Sequence, residues 1–165
     1  MKQFSIFFLI SAFIGTSITS CVKEKNFPTT PVIEFKQYIK YGLDSADCII
    51  KFKDGDGDIG IVEGDTVSLP DLIMKYLYKG SDNLFHPFDA IAGTAKFDTL
   101  FYPYSVPDLT PKGQFKALDG EIKIKLRSAP LYYYPYHKTI KFEITLRDRS
   151  GHLSNMVSTD EITLP

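Results

Sequence analysis

The chain of 165 residues has no tryptophan, two cysteines and three histidines. Two cysteines cannot form the disulfide framework of a small secreted scaffold. Basic and acidic side chains nearly balance, at 19 against 20, so no nucleic-acid partner is indicated. The zinc-protease, nucleophile-elbow and phosphate-loop motifs are also missing, so we expect no catalysis.

Long hydrophobic runs are missing as well, apart from one near the start. Lys2 precedes the apolar stretch from Phe4 to Ile14, and the tetrapeptide Ile18-Thr19-Ser20-Cys21 follows it. The stretch is shorter than the roughly 20 residues of a transmembrane helix, but it fits an export signal. The tetrapeptide matches a bacterial lipobox, which predicts a signal peptide over residues 1–20 and a lipidated, palmitate-type N-terminus at Cys21. An ordinary secretory signal cut near Ser20 is the alternative.

Beyond the signal, the sequence predicts a tether and one domain. Residues 21–31 are rich in proline, threonine and charge, and ten extended residues reach about 33 Å. Residues 32–165 are enough for a single domain with its own core. Val22 rather than Asp after the lipidated cysteine favours the outer membrane as the location. The membrane face stays open.

Alternating apolar and polar residues predict an all-β domain. The clearest strands are Glu121–Arg127 and Thr139–Arg147, each with one apolar and one polar face. Further predicted strands are Val32–Tyr38, Asp47–Lys53, Leu72–Lys79, Phe97–Tyr104 and Met156–Leu164, the last with a break in parity that indicates a bulge or bend. About seven strands favour a two-sheet sandwich of immunoglobulin or fibronectin type III character, with a closed barrel as the alternative. Cys48 shares its predicted strand face with Ile50 and Phe52, which indicates a buried thiol.

Three blocks of sequence carry a resemblance to a known family. They run from Phe52 to Gly60, from Thr110 to Ile122 and from Asp148 to Asn155. In this order they resemble an uncharacterised family of Bacteroidota cell-envelope lipoproteins. The resemblance implies a small, envelope-located, immunoglobulin-like lipoprotein, and it supplies no catalytic residues.

The first block contains a candidate metal site. Asp54, Asp56 and Asp58 alternate with Gly55 and Gly57, and Asp65 is the twelfth residue when Asp54 is counted as the first. Such spacing can wrap carboxylates around Ca²⁺, which takes six to eight oxygens. The match to a helix-flanked EF-hand loop is imperfect, because its sixth position is Ile59 and its last is Asp65, and the flanks here predict strands. The alternative is a solvated connection whose aspartates form Asx turns.

A second candidate site is aromatic. Tyr132, Tyr133, Tyr134 and Tyr136 surround Pro135 in a connection between two predicted strands. Tyrosines held by proline suit a glycan or a protein partner, since a planar ring buries area at low entropic cost. The alternative is that the rings pack against the open end of the sandwich.

These features together predict a lipid-anchored binding or accessory module of the cell envelope. Its expected partner is another envelope protein, with a surface glycan as the alternative. An enzyme with a paired-carboxylate cleft ranks third, because nothing in the sequence selects two carboxylates.

Overall fold

The computed structural model describes residues 26–42, 45–65, 69–87, 101–127 and 137–164. They form an all-β fold of antiparallel sheets. The described strands are β1 (Val32–Tyr41), β2 (Ser45–Asp54), β3 (Leu72–Lys79), β4 (Phe85–Pro87), β5 (Phe101–Tyr104), β6 (Leu118–Arg127), β7 (Thr139–Leu146), β8 (Val157–Ser158) and β9 (Ile162–Thr163). The described residues contain no helix of the length and hydropathy needed to cross a membrane.

The strands form two sheets. The smaller sheet has the order β1-β2-β6, and β2 pairs with β6 over ten residues from Ser45↔Arg127 to Asp54↔Leu118. In the larger sheet β3 and β7 are central. Strands β4 and β5 pair with opposite ends of β3, and β8 and β9 both pair with β7. The nine described strands therefore occupy seven positions in a two-sheet, all-β sandwich, the architecture that the sequence predicted.

The core lies between the inner faces of the sheets. Alternate residues of β2 and β6 face those of β3 and β7. Tyr78 and Leu118, at the ends of two of these rows, are half-buried, and the other apolar side chains of the rows are buried. They are Ala46, Cys48, Ile50, Phe52, Ile122, Ile124, Leu126, Leu72, Met74, Tyr76, Ile140, Phe142, Ile144 and Leu146. Such alternation follows from the two-residue period of a strand with one face in the core and one in water.

The strand boundaries differ from the sequence prediction in instructive places. Strand β4 was missed, because three residues ending in Pro87 carry no periodic signal. The predicted strand Met156–Leu164 is two short strands, β8 and β9. Between them the Thr159 side chain turns inward, and its Oγ1 accepts a hydrogen bond from the Phe142 backbone N–H at 3.0 Å. The expected break in parity is this interruption.

Cys48 offers a test of the packing. Its side chain is fully buried, and burial raises the pKa of the thiol to about 12. In a Cys21→Ser variant, where Cys48 is the one remaining thiol, we expect no maleimide labelling of the native protein and complete labelling in denaturant. Mass spectrometry of the two samples measures this. Fast labelling without denaturant would show that the inner face of β2 is open to solvent.

Candidate functional site

Three connections meet at one end of the sandwich. They join β2 to β3, β5 to β6 and β7 to β8, and we call this end the acidic end. The parts of the connections that lie there are held by direct backbone hydrogen bonds: the Ile61 N–H donates to the Val106 carbonyl at 2.8 Å, and the Leu109 N–H to the Ile59 carbonyl at 3.0 Å. Ile59 is fully buried and closes the core at this end.

The acidic loop, residues 54–60, holds three carboxylates together. Asp54 is the last residue of β2, and its Oδ2 accepts hydrogen bonds from the backbone N–H groups of Gly57 at 2.8 Å and Asp58 at 3.2 Å. These bonds turn the chain back over the Asp54 side chain. One carboxylate oxygen from each of Asp54, Asp56 and Asp58 lies within 4.8 Å of the others, although Asp54 is buried and Asp56 is exposed.

The glycines of the loop allow other backbone segments to approach it closely. A Cβ at Gly55 would strike the carbonyl oxygen of Phe27, and one at Gly57 would strike that of Lys116. Gly57 also has a φ of 71°, a conformation that side chains disfavour. The Gly55 N–H donates to the Pro28 carbonyl at 2.8 Å, so the segment leading into β1 is fixed to the acidic loop.

The β7–β8 connection fastens the loop from the other side. Asp58 Oδ2 accepts hydrogen bonds from the Ser150 backbone N–H at 3.0 Å and from its hydroxyl at 2.7 Å. Arg149 spans all three connections, because its Nη1 donates to the Gly60 carbonyl at 2.9 Å and to Asp108 Oδ1 at 2.8 Å. The acidic loop is therefore held from one side by the segment before β1 and from the other by Arg149 and Ser150.

The electrostatics of the loop are unfavourable. Burial, together with the nearby carboxylate of Asp56, raises the pKa of Asp54 to about 6. Because this folded pKa lies above the ordinary value, the group's contribution to stability is lost as the pH rises through about 6. Asp54 Oδ1 and Asp58 Oδ1 are buried and find no hydrogen-bond donor among the described residues. An unsatisfied buried polar atom costs about 1–3 kcal/mol.

A second acidic group lies beside this loop. Asp148 is buried, and its carboxylate accepts from the His152 N–H at 2.7 Å and contacts His152 Nδ1 at 2.8 Å. Hydrogen bonding to Asp148 raises the pKa of His152, and the charges of Asp56 and Asp58 add to the rise. The next residue, Arg149, donates its backbone N–H to the Asp58 carbonyl at 3.2 Å, so Asp148 lies beside the acidic loop.

The structure brings some of the predicted site residues together and not others. Asp54, Asp56 and Asp58 come together, whereas Asp65 lies outside their group, in an exposed turn. Cys21 and the tyrosines Tyr132, Tyr133, Tyr134 and Tyr136 lie outside the described residues. Sequence reasoning missed Arg149 and Ser150 as partners of the loop. The sequence indicated a turn at Asp148–Gly151, but a turn does not show which distant residues its side chains contact.

The opposite end of the sandwich carries an aromatic cluster. The rings of Tyr78 and His137 stack at 4.1 Å with an interplanar angle of 3°, and His86 lies 5.9 Å from Tyr78. The Lys141 ammonium lies 4.6 Å from the centre of the Phe85 ring. Tyr78, Phe85, His86 and His137 are all partly exposed, so this end presents aromatic surface to solvent.

Comparison with known proteins adds no family. No family model, curated protein or solved structure matches the chain. The case for function therefore comes from the geometry of the two ends of the sandwich.

Proposed function

We propose that this protein is a lipid-anchored binding module of the bacterial cell envelope, without catalysis, that engages another envelope protein through the end opposite its tether. The observation that carries the proposal is the orientation of the domain: the tether enters at one end, and the tyrosine-rich connection belongs to the strands that meet at the other. The segment before β1 contacts Gly55 at the acidic end, whereas β6 ends at Arg127 and β7 begins at Thr139 at the other end. The tyrosine-rich connection 128–136 joins those two strands.

The lengths suit such a role. A ten-residue strand rises about 33 Å, so the two ends of β2 are separated by roughly that distance. An anchored Cys21 would hold the acidic end nearer the membrane and point the aromatic end outward. Aromatic side chains are enriched where proteins bind each other, because large planar rings bury area with few rotatable bonds.

The aromatic end supports the binding role through its described residues. Tyr78, His86 and His137 form one row of rings, and Phe85 lies between Lys79 and Lys141 at 5.7 and 4.6 Å. Rings held this way lose little freedom on contact with a partner, so binding costs less entropy. A glycan could stack on the same rings, and the experiment below separates the two ligands.

The anchor is tested by Cys21→Ser. We expect the variant to leave the membrane fraction and stay folded, because the lipid and the sandwich are separated by the tether. Detergent phase partitioning of both forms, with circular dichroism to confirm folding, measures the outcome. Retention of the Ser variant in the detergent phase would rule out lipidation at this cysteine.

The binding end is tested by photocrosslinking in the native host. We expect Tyr133→p-benzoylphenylalanine to capture an envelope protein, and Phe115→p-benzoylphenylalanine, exposed at the acidic end, to capture none. Adding Tyr132→Ala and Tyr134→Ala should reduce binding by at least about thirty-fold, since the loss of even one aromatic anchor at an interface centre costs about 2 kcal/mol.

Equal capture from both ends would contradict the proposal that the partner binds at the end opposite the tether. Binding to purified surface glycans that is lost in the same double-alanine variant, with no protein crosslink, would replace the protein partner with a glycan.

A further inference from the structure

We propose that Asp54, Asp56 and Asp58 form a calcium site that stabilises the acidic end of the sandwich. The three carboxylates converge from one five-residue stretch, with an oxygen from each inside 4.8 Å. No ion pair links any of them to a lysine or arginine in the described part of the chain. The site stands whatever the opposite end binds, because none of its residues lies there.

Acidic clusters on protein surfaces are common without a metal. The case for an ion here therefore rests on the carboxylate oxygens that are buried. Asp54 has no solvent-exposed surface, and its Oδ2 is fully used by the Gly57 and Asp58 N–H groups. Its carboxylate belongs to the converging group, and its other oxygen, Oδ1, is buried with no donor among the described residues. Buried carboxylate oxygens are satisfied in folded proteins by a donor, a water or an ion.

Asp58 repeats the arrangement. Its Oδ2 is taken by Ser150, from both the backbone N–H and the hydroxyl, and its Oδ1 is buried without a described donor. Two carboxylates in one five-residue stretch thus each have one oxygen fixed by hydrogen bonds and the other left unsatisfied. Orientation of ligands by hydrogen bonds on their far atoms is what supporting groups do at metal sites.

The chemistry favours calcium over other ions. Carboxylate oxygens are hard ligands, and no cysteine or histidine belongs to the group, which disfavours zinc and copper. Mg²⁺ requires a compact octahedron at about 2.0–2.1 Å, whereas Ca²⁺ accepts irregular geometry at about 2.3–2.6 Å. Three carboxylates leave room for the water and backbone oxygens that complete six to eight ligands.

Occupation of the site would act on the tether as well as on the loop. Gly55 lies between two of the ligands in sequence and bonds to Pro28, and Asp58 is bonded to Ser150 of the β7–β8 connection. An ion that fixes the three carboxylates therefore fixes the segment leading into β1 and one connection of the larger sheet. Calcium would order the end of the domain that receives the tether.

The test is thermal unfolding of the full-length protein in calcium, magnesium or chelator at equal ionic strength. With calcium at about ten times its dissociation constant, which for extracellular modules is about 10⁻⁴ to 10⁻³ M, we expect the melting temperature to rise by about 3 to 6 °C. Magnesium should give a much smaller rise. Titration calorimetry should show one calcium per chain.

Two variants and a matched control make the test specific. Asp56→Asn, at an exposed position, should fold normally and lose at least half of the calcium-dependent rise. Asp54→Asn can still accept from Gly57 and Asp58, and should lose the rise while removing a buried charge. Asp65→Asn, an aspartate of the same connection outside the group, should keep the full rise.

Equal melting temperatures in calcium and chelator would overturn the proposal and leave a shared proton or water between the carboxylates. An undiminished rise in Asp56→Asn would also overturn it. Loss of the rise in Asp65→Asn alone would move the site to other ligands.

Discussion

The burial of the Asp54 carboxylate at the end of β2 is the constraint on which the acidic end depends. Strand β2 lies at the centre of its sheet, and its inward row runs through Ile50 and Phe52 to Asp54. A carboxylate in that row must find partners, because desolvation of a charge is costly. The chain turns back and supplies two backbone N–H groups from Gly57 and Asp58. The geometry of the acidic loop follows from that requirement.

We propose different roles for the two ends of the sandwich. The acidic end gathers the segment before β1, the three connections and the carboxylate group, and it is braced by Arg149 and Ser150. The aromatic end carries the stacked rings of Tyr78 and His137. A domain attached and stiffened at one end and aromatic at the other suits a module that holds a partner at a distance from a membrane.

Much of the fold was predictable because strands bury alternate residues. The alternation of apolar and polar residues in β6 and β7 correctly predicted which residues face the core. The same pattern around Cys48 correctly predicted that its thiol is buried. Strand β4 was not predictable, because three residues pair only through the hairpin that brings them to β3. The same limit applies to the site: the Asp54–Asp58 spacing is local, whereas the bond from Ser150 to Asp58 joins residues 92 positions apart. Local pattern cannot give such a contact.

The most direct test of the account is a crystal structure of the full-length protein grown in calcium, with anomalous diffraction collected at long wavelength. The account predicts an anomalous peak within about 2.3–2.6 Å of Asp54 Oδ1 and Asp58 Oδ1, with Asp56 as a third ligand. A peak-free site holding only water, or a protonated Asp54 donating to a neighbouring carboxylate, would contradict it.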